Sequence, residues 1–342
     1  MTHESNKLSG PRAMARNCCS HWLLLTCTLV LTAGSGFAQS ANPSEETPHQ
    51  DRVTRLFWQD RSDDSLKWAD LIRTPEWQLE SAAVSKFPKL DVKKQDLVQM
   101  AILDGTLLVG VRDQDDGKLQ SGWVAVDTGV REVPHGNHSD WEYPSTPAVR
   151  RSQLDKQQGN PAHLYVYDGA LYLANDRKNG FTHFTSQSLQ GSGPCGQFYT
   201  GGGNHITMAA VEGMVCYSTW IDGGGPNKGR IDVLNLRTPD SEGPAYTFHL
   251  PTGVIHGATA NSDRVFFAPA DGICWTEVDR EAGKSADSVK VRHISLGKDR
   301  KTGSRCVRER SSIIGTGCCS RPDRPIRRRS VCSTRRLQSR KS

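Results

Sequence analysis

A short β run placed directly after a tight turn recurs along this chain, and it limits the folds available more than any other feature. Asp104-Gly105 leads into TLLVGV, Asp168-Gly169 into ALYLA, Glu212-Gly213 into MVCYS and Ser262-Asp263 into RVFFA. The turn positions 105, 169, 213 and 263 are 64, 44 and 50 residues apart. A second β run follows each one: GWVAVDTG, GFTHFT, RIDVLNL and GICWTEV. One small sheet cannot bury both of its faces alone. Radial stacking against neighbours buries them and leaves only short edges. The pattern therefore predicts an all-β chain, a β-propeller with repeats of about 45–60 residues and one blade per repeat. A β-sandwich and a β-solenoid are the alternatives. RLFWQD, RSDDS and LKWADL form an earlier hairpin, so residues 50–297 supply about five repeats. The 32 Gly and 5 Met suit a turn-rich β protein better than a helix bundle.

The ends of the chain read differently from its body. Arg12 and Arg16 precede an apolar run from Trp22 to Thr32, followed by small residues at Gly36 and Ala38. This is the grammar of a secretory signal over residues 1–38, with cleavage near Ala38–Gln39. An uncleaved N-terminal anchor and a lipid anchor at Cys27 are alternatives; the run is short for a membrane span, which needs about 20 residues. Residues 39–50 read as a polar linker, 51–297 as the propeller domain, and 298–342 as a basic tail. A periplasmic or secreted location follows, with no transmembrane domain after signal cleavage. No stretch reaches 18 apolar residues, which excludes a multi-span membrane protein.

The formal charge of +6 divides unevenly. Residues 298–342 carry a net +12 and the rest −6, so nucleic-acid binding is not expected of the body. The tail holds 12 Arg in 45 positions and no aromatic residue. It reads as disordered, non-native sequence after a shifted or truncated frame. On that reading the propeller lacks its last blade or two. A functional basic arm is the alternative. Of the 10 cysteines, three fall in the signal and four in the tail. Cys195, Cys216 and Cys274 remain, an odd number that makes no disulfide framework, although one bridge is possible in an exported chain. Cys216 and Cys274 sit in strand-like runs as small buried hydrophobes.

Histidines return at one place in the repeat. His163 lies six residues before Gly169, His205 eight before Gly213 and His256 seven before Asp263, while Gln99 holds the matching place six before Gly105. Each marks the entry to the innermost strand of a blade. In a propeller these entries ring one mouth of the channel, so the side chains should converge. A second cluster, PHGNHSDW, puts His135, His138 and Asp140 in a loop after GWVAVDTG. Imidazole and carboxylate suit zinc, and imidazole also suits copper, iron or nickel. Protons compete for such nitrogens near pH ~6.5, so mild acid should release the ion. Structural histidines placed in register by duplication are the alternative. His183 and His249 read as ordinary strand residues.

The segments VAVDTG–PHGNHSDW, LYVYDGALYLANDRKNGF, GGGNHIT and GVIHGATANSDRVFFAPADG, across about 97–280, resemble exported bacterial propellers. Among these the chain is similar to the periplasmic zinc metallochaperones that serve zinc ABC transporters. The resemblance implies a zinc site at the channel mouth, with His135, His138, His163, His205 and His256 as matching positions. A third His is expected where this chain has Asp140. The expected function is an exported metal carrier or buffer, with a metal ion and a metal-uptake binding protein as partners. A non-enzymatic scaffold and a metal-dependent hydrolase or lactonase, with Asp140 or Glu142 as base, are the other readings. The chain has no G-x-S-x-G elbow, Walker loop or H-E-x-x-H. RDQDDGK (112–118) lacks the twelfth-position Glu of a calcium loop and reads as a solvated turn. GGGPNKG (223–229) reads as a loop between strands.

Overall fold

The structure is a computed structural model that describes residues 51–115, 117–238 and 243–297. The segments expected to be a secretory signal (1–38), a linker (39–50) and a basic tail (298–342) lie outside the described residues. Five antiparallel sheets follow one another along the chain. The first contains β1 (Asp51–Asp60), β2 (Ser65–Arg73), β3 (Trp77–Leu79) and β4 (Ala82–Ala83), the last two both pairing with β2. The second contains β5 (Gln95–Leu103), β6 (Thr106–Asp113) and β7 (Ser121–Asp127). A separate hairpin, β8 (Arg131–His135) and β9 (His138–Glu142), interrupts that sheet before its outer strand β10 (Ala148–Asp155).

The remaining three sheets are meanders of four strands in chain order. They are β11 (Pro161–Tyr167), β12 (Ala170–Asn175), β13 (Gly180–Thr185) and β14 (Gln197–Thr200), then β15 (Met208–Val211), β16 (Val215–Thr219), β17 (Arg230–Asn235) and β18 (Tyr246–His249). The last is β19 (Ala258–Ala260), β20 (Arg264–Phe267), β21 (Gly272–Glu277) and β22 (Arg292–Ser295).

The first strands of successive sheets are neighbours: β5 lies beside β11, β11 beside β15, and β15 beside β19. The hydrophobic cores lie between sheets. Leu108 and Trp123 of the second sheet meet Leu171, Leu173 and Phe184 of the third. Tyr172 and Phe181 of the third meet Met208, Cys216 and Leu234 of the fourth. Tyr217, Ile231 and Phe248 of the fourth meet Val265, Phe267 and Cys274 of the fifth. Both faces of a middle sheet are thereby removed from water, which explains the near-continuous apolar runs such as ALYLAN (170–175), buried at all six positions. This is a β-propeller arrangement, as the repeated turns require.

The recurring turns have a shared backbone reason. Asp104 and Gly105, Asp168 and Gly169, and Glu212 and Gly213 all have positive φ, between 44° and 74°. Two consecutive left-handed residues make the tight turn whose twist matches a two-residue hairpin. Tyrosines then tie the blades together. The Tyr165 hydroxyl donates to the Ile206 carbonyl at 3.3 Å, and that of Tyr167 to the Met208 carbonyl at 3.0 Å. At the other end of the chain Arg55 joins the first two sheets. Its guanidinium grips both oxygens of Asp70 at 2.7 and 3.0 Å, donates to the carbonyls of Thr128 and Ser145, and stacks on Trp68. The three cysteines of the body are free thiols. Cys216 and Cys274 are buried among hydrophobes and Cys195 is half-buried. Among the described residues no helix is long and apolar enough to cross a membrane.

Candidate metal centre

His163 is the third residue of β11, and its neighbours carry the matching side chains. Gln99 projects from β5, His205 is followed directly by Ile206-Thr207, which lead into β15, and His256 precedes β19. Four consecutive sheets thus supply one residue each. The rings of His163 and His205 are 4.6 Å apart between centroids, and those of His205 and His256 are 5.4 Å apart. Residues 42 to 93 positions apart in sequence therefore share one place.

The loops that deliver these rings need special backbone. Gly202 has φ +78°, and a Cβ there would stand 2.2 Å from Ser218 Oγ. A Cβ on Gly203 would meet the Trp220 ring at 2.3 Å. Glycine at positions 202 and 203 therefore lets this segment lie close against Ser218 of β16 and the Trp220 ring. Asn204 (φ 62°) and Val254 (φ 58°) are also left-handed. Val254, two residues before His256, is β-branched, and such a residue holds this conformation only where the surroundings impose it.

A hydrogen-bond chain runs through the cluster. The Leu164 backbone N–H donates to Gln99 Oε1 at 2.7 Å. Gln99 Nε2 stands 3.1 Å from His163 Nδ1. His163 Nε2 stands 2.9 Å from His205 Nε2. His205 Nδ1 stands 3.1 Å from Asp176 Oδ2, whose other oxygen accepts the Ile206 N–H at 3.0 Å. Asp176 opens the 3₁₀ turn Asp176–Lys178 directly after β12 and is the residue of this centre that sequence reasoning missed. A signal was present: the second strand of the second, third and fourth sheets is closed or followed by an aspartate, at Asp113, Asp176 and Asp222.

The electrostatics follow from burial. Desolvation, with the His205 and His256 charges adding to it and Asp176 opposing it, lowers the His163 pKa to about 4. Burial thus favours the neutral form of His163 well below the ordinary imidazole range. A polar cavity of about 300 Å³, lined by Arg112, Asn160, Asp176, Arg177, Asn179 and Asn204, opens beside the chain.

His135, His138 and Asp140 form a second group. They close the tip of the β8–β9 hairpin, and each offers one ligand atom within 4.8 Å of the others. His135 Nδ1 lies 3.2 Å from Asp140 Oδ2 and His138 Nε2 lies 3.8 Å from Asp140 Oδ1. All three side chains are at least 60% exposed. No hydrogen bond, ion pair or ring contact among the described residues joins them to His163, His205 or His256. The topology explains why. From Gln99, in the middle of the strand, β5 runs on to the Asp104-Gly105 turn, and Thr128 N–H donates to the Gly105 carbonyl at 2.9 Å. The hairpin therefore springs from the turn end of β5–β7, while Gln99 and His163 lie further back along their strands from their own turns. Among the described residues, the imidazoles that the family resemblance implies at one site therefore form two groups, one at the mouth and one at the hairpin tip. A larger cavity, about 870 Å³, lies at the turn end between Arg55, Thr128, Trp141 and Tyr143, away from the mouth histidines.

Other candidates resolve into structure. Both Asp113 carboxylate oxygens accept backbone N–H groups, from Asp115, Gly117 and Leu119. RDQDDGK is thus a carboxylate-capped turn, with Asp116 outside the described residues. His183 stacks on Tyr172 at 4.8 Å, and His249 Nδ1 bonds the Lys228 carbonyl at 2.9 Å.

The donor set at the mouth fits a divalent transition metal. A carboxylate only accepts, so Asp176 holds His205 as the Nδ1–H tautomer and leaves its Nε2 lone pair aimed at His163. Two nitrogens sharing one tetrahedral zinc stand roughly 3.3 Å apart, so a small opening of the 2.9 Å pair admits an ion.

No known protein family matches the sequence, and no curated protein matches it. Solved propellers resemble it in fold. AztD of Citrobacter koseri shares 13% identity at a TM-score of 0.47, over 73% of this chain and 60% of that one. Apo AztD from the same organism shares 12% at 0.42, over 72% and 59%. The PQQ-bound aldose sugar dehydrogenase of Streptomyces coelicolor shares 12% at 0.35, over 70% and 78%. The chain thus spans about 60% of the length of AztD, and what these comparisons share with it is the propeller fold.

Proposed function

We propose that the protein is an exported carrier or buffer of a divalent transition metal, zinc first, which it holds at the propeller mouth through His163, His205 and His256. The supporting observation is the convergence of three imidazoles from three consecutive sheets, with His205 oriented through its Nδ1 by Asp176. Three protein ligands leave a fourth zinc position open. An open position suits cargo that must be handed on, here to a metal-uptake binding protein. The exposed trio His135, His138 and Asp140 is a second, weaker place for the same ion. The secretory signal and the sequence resemblance to periplasmic zinc metallochaperones point the same way.

The test is zinc binding by the full chain, measured by elemental analysis and by competition with a chromophoric chelator. The wild type is expected to retain one tightly held zinc. In the double variant His205→Ala/His256→Ala that zinc is lost, with affinity down by more than the roughly 10–100-fold that loss of an outer hydrogen-bond partner alone costs. A wild type that binds no zinc, or a double variant with unchanged affinity, overturns the carrier reading and leaves a propeller scaffold with structural histidines.

A further inference from the structure

Four hydrogen bonds in the mouth determine where each ring proton sits. A backbone N–H can only donate, so the Leu164 N–H fixes Oε1 of Gln99 on its side and turns the amide NH₂ toward His163 Nδ1. That nitrogen must then be the acceptor, and the single proton of the neutral His163 ring lies on Nε2. At the far end Asp176 requires the His205 proton on Nδ1, so His205 Nε2 accepts from His163 Nε2–H across 2.9 Å. Every donor meets an acceptor: Gln99 NH₂ to His163, His163 to His205, His205 to Asp176. Reversing either ring produces a clash of two donors or two lone pairs.

This arrangement conflicts with metal binding in one place. His205 already presents a lone pair at Nε2, but His163 presents a proton there. To ligate through Nε2, His163 must carry its proton on Nδ1, which then faces the NH₂ of Gln99. Rotating the carboxamide relieves that clash only by turning NH₂ against the Leu164 N–H. We infer that Gln99 is a latch, a positioning residue that holds His163 in its non-ligating tautomer and so sets how tightly the mouth holds a metal. The inference rests on the carrier reading of this site. It gives the carrier a reason to release its cargo: the closed hydrogen-bond chain of the empty mouth competes with the ion.

Two substitutions separate the latch from simpler effects. In Gln99→Glu one carboxylate oxygen accepts from Leu164 and the other calls for the proton on His163 Nδ1, since a carboxylate cannot face that lone pair; this favours the ligating tautomer at the expense of the His163–His205 hydrogen bond. Zinc affinity is expected to rise by about 10–100-fold, the range associated with outer carboxylate partners of a ligand His. The added charge alone also attracts a cation, so Gln99→Met is the control. It removes the NH₂ donor without adding charge, and the latch requires it too to bind zinc more tightly, by several-fold. Ring-nitrogen NMR of the metal-free full chain at pH 7.5 reads the tautomer directly, with His163→Gln identifying the resonance. The wild type is expected to show Nε2–H at His163, and Gln99→Glu to show Nδ1–H.

A wild-type His163 protonated on Nδ1, or weaker zinc binding in Gln99→Met, overturns the latch. The NMR result needs no metal, so the two readings fail separately. Tautomers as stated with zinc bound by no variant overturns the carrier reading, and with it the latch's effect on affinity, while the hydrogen-bond chain stands.

Discussion

The mouth and the hairpin are built from the same residue types and behave as opposites. At the mouth, His163 and His205 come from different sheets, both nitrogens of each ring have partners, and desolvation acts on His163. At the hairpin, His135, His138 and Asp140 lie within six residues, and water reaches all three. The mouth is held by the fold, so its geometry exists before any ion arrives. The hairpin trio is held only by a five-residue strand pair at the surface. Preorganised ligands lose less freedom on binding, so the mouth is the place for tight retention.

Removing Asp176 should break this contrast most strongly. In Asp176→Ala the Ile206 N–H and the His205 Nδ1–H both lose their acceptor. Zinc affinity at the mouth is expected to fall by about 10–100-fold, and chemical denaturation should show about 1–3 kcal/mol lost from the metal-free protein. Asp176→Asn keeps the shape and one acceptor oxygen, so it should recover most of the stability. If Asp176→Ala binds zinc as the wild type does, the mouth is not oriented by its carboxylate.

Acid sharpens the comparison by a smaller amount. The folded-state pKa of His163 lies near 4, below the ordinary 6.5 of an unfolded chain. The unfolded state therefore takes up the proton first. This stability is fully present above about pH 6.5 and is lost as pH falls toward 4. Allowing for the ring's partial exposure, the loss between pH 7 and pH 5 is about 1–2 kcal/mol. His163→Gln should have a flatter stability-versus-pH curve over that interval. Wild-type and variant curves that run parallel would show that burial does not govern this imidazole.

The repeat made much of this legible in the chain. Two-residue turns with φ > 0 favour Gly, Asn or Asp, so Asp104-Gly105 and Asp168-Gly169, and the glycine of Glu212-Gly213, announce the hairpins. Gln99, His163, His205 and His256 stand six to eight residues before these turns and Asp263, and that near-constant offset announces the ring of residues at one mouth. Asp176 was hidden because it acts on a ring two sheet-strands away through a 3₁₀ turn, and a charged residue after a strand usually means a solvated loop. The separation of the hairpin group from the mouth was hidden for a different reason. Spacing in sequence places PHGNHSDW after a strand but does not say at which end. That depends on strand direction, through the Thr128–Gly105 bond. The tautomers of His163 and His205 are further still from the sequence, since they are set by partners 64, 42 and 29 residues away.

The smallest expected effect belongs to the hairpin, and it is informative because it is small. In His135→Ala/His138→Ala the lost contacts are an exposed His–Asp pair at 3.2 Å, a longer one at 3.8 Å and an exposed bond from His138 Nδ1 to Asn137. Exposed pairs contribute about 0–1 kcal/mol, and the strand ladder of β8 and β9 remains. Thermal or chemical unfolding should therefore change by no more than about 0.5 kcal/mol. The tightly held zinc should stay, while a second, weaker equivalent disappears from a calorimetric titration. Loss of the tight zinc in this variant would mean that the mouth and the hairpin share one site. The separation of mouth from hairpin would then fail, because a hairpin rooted at the turn end could reach the mouth only by leaving the position it holds beside Gly105.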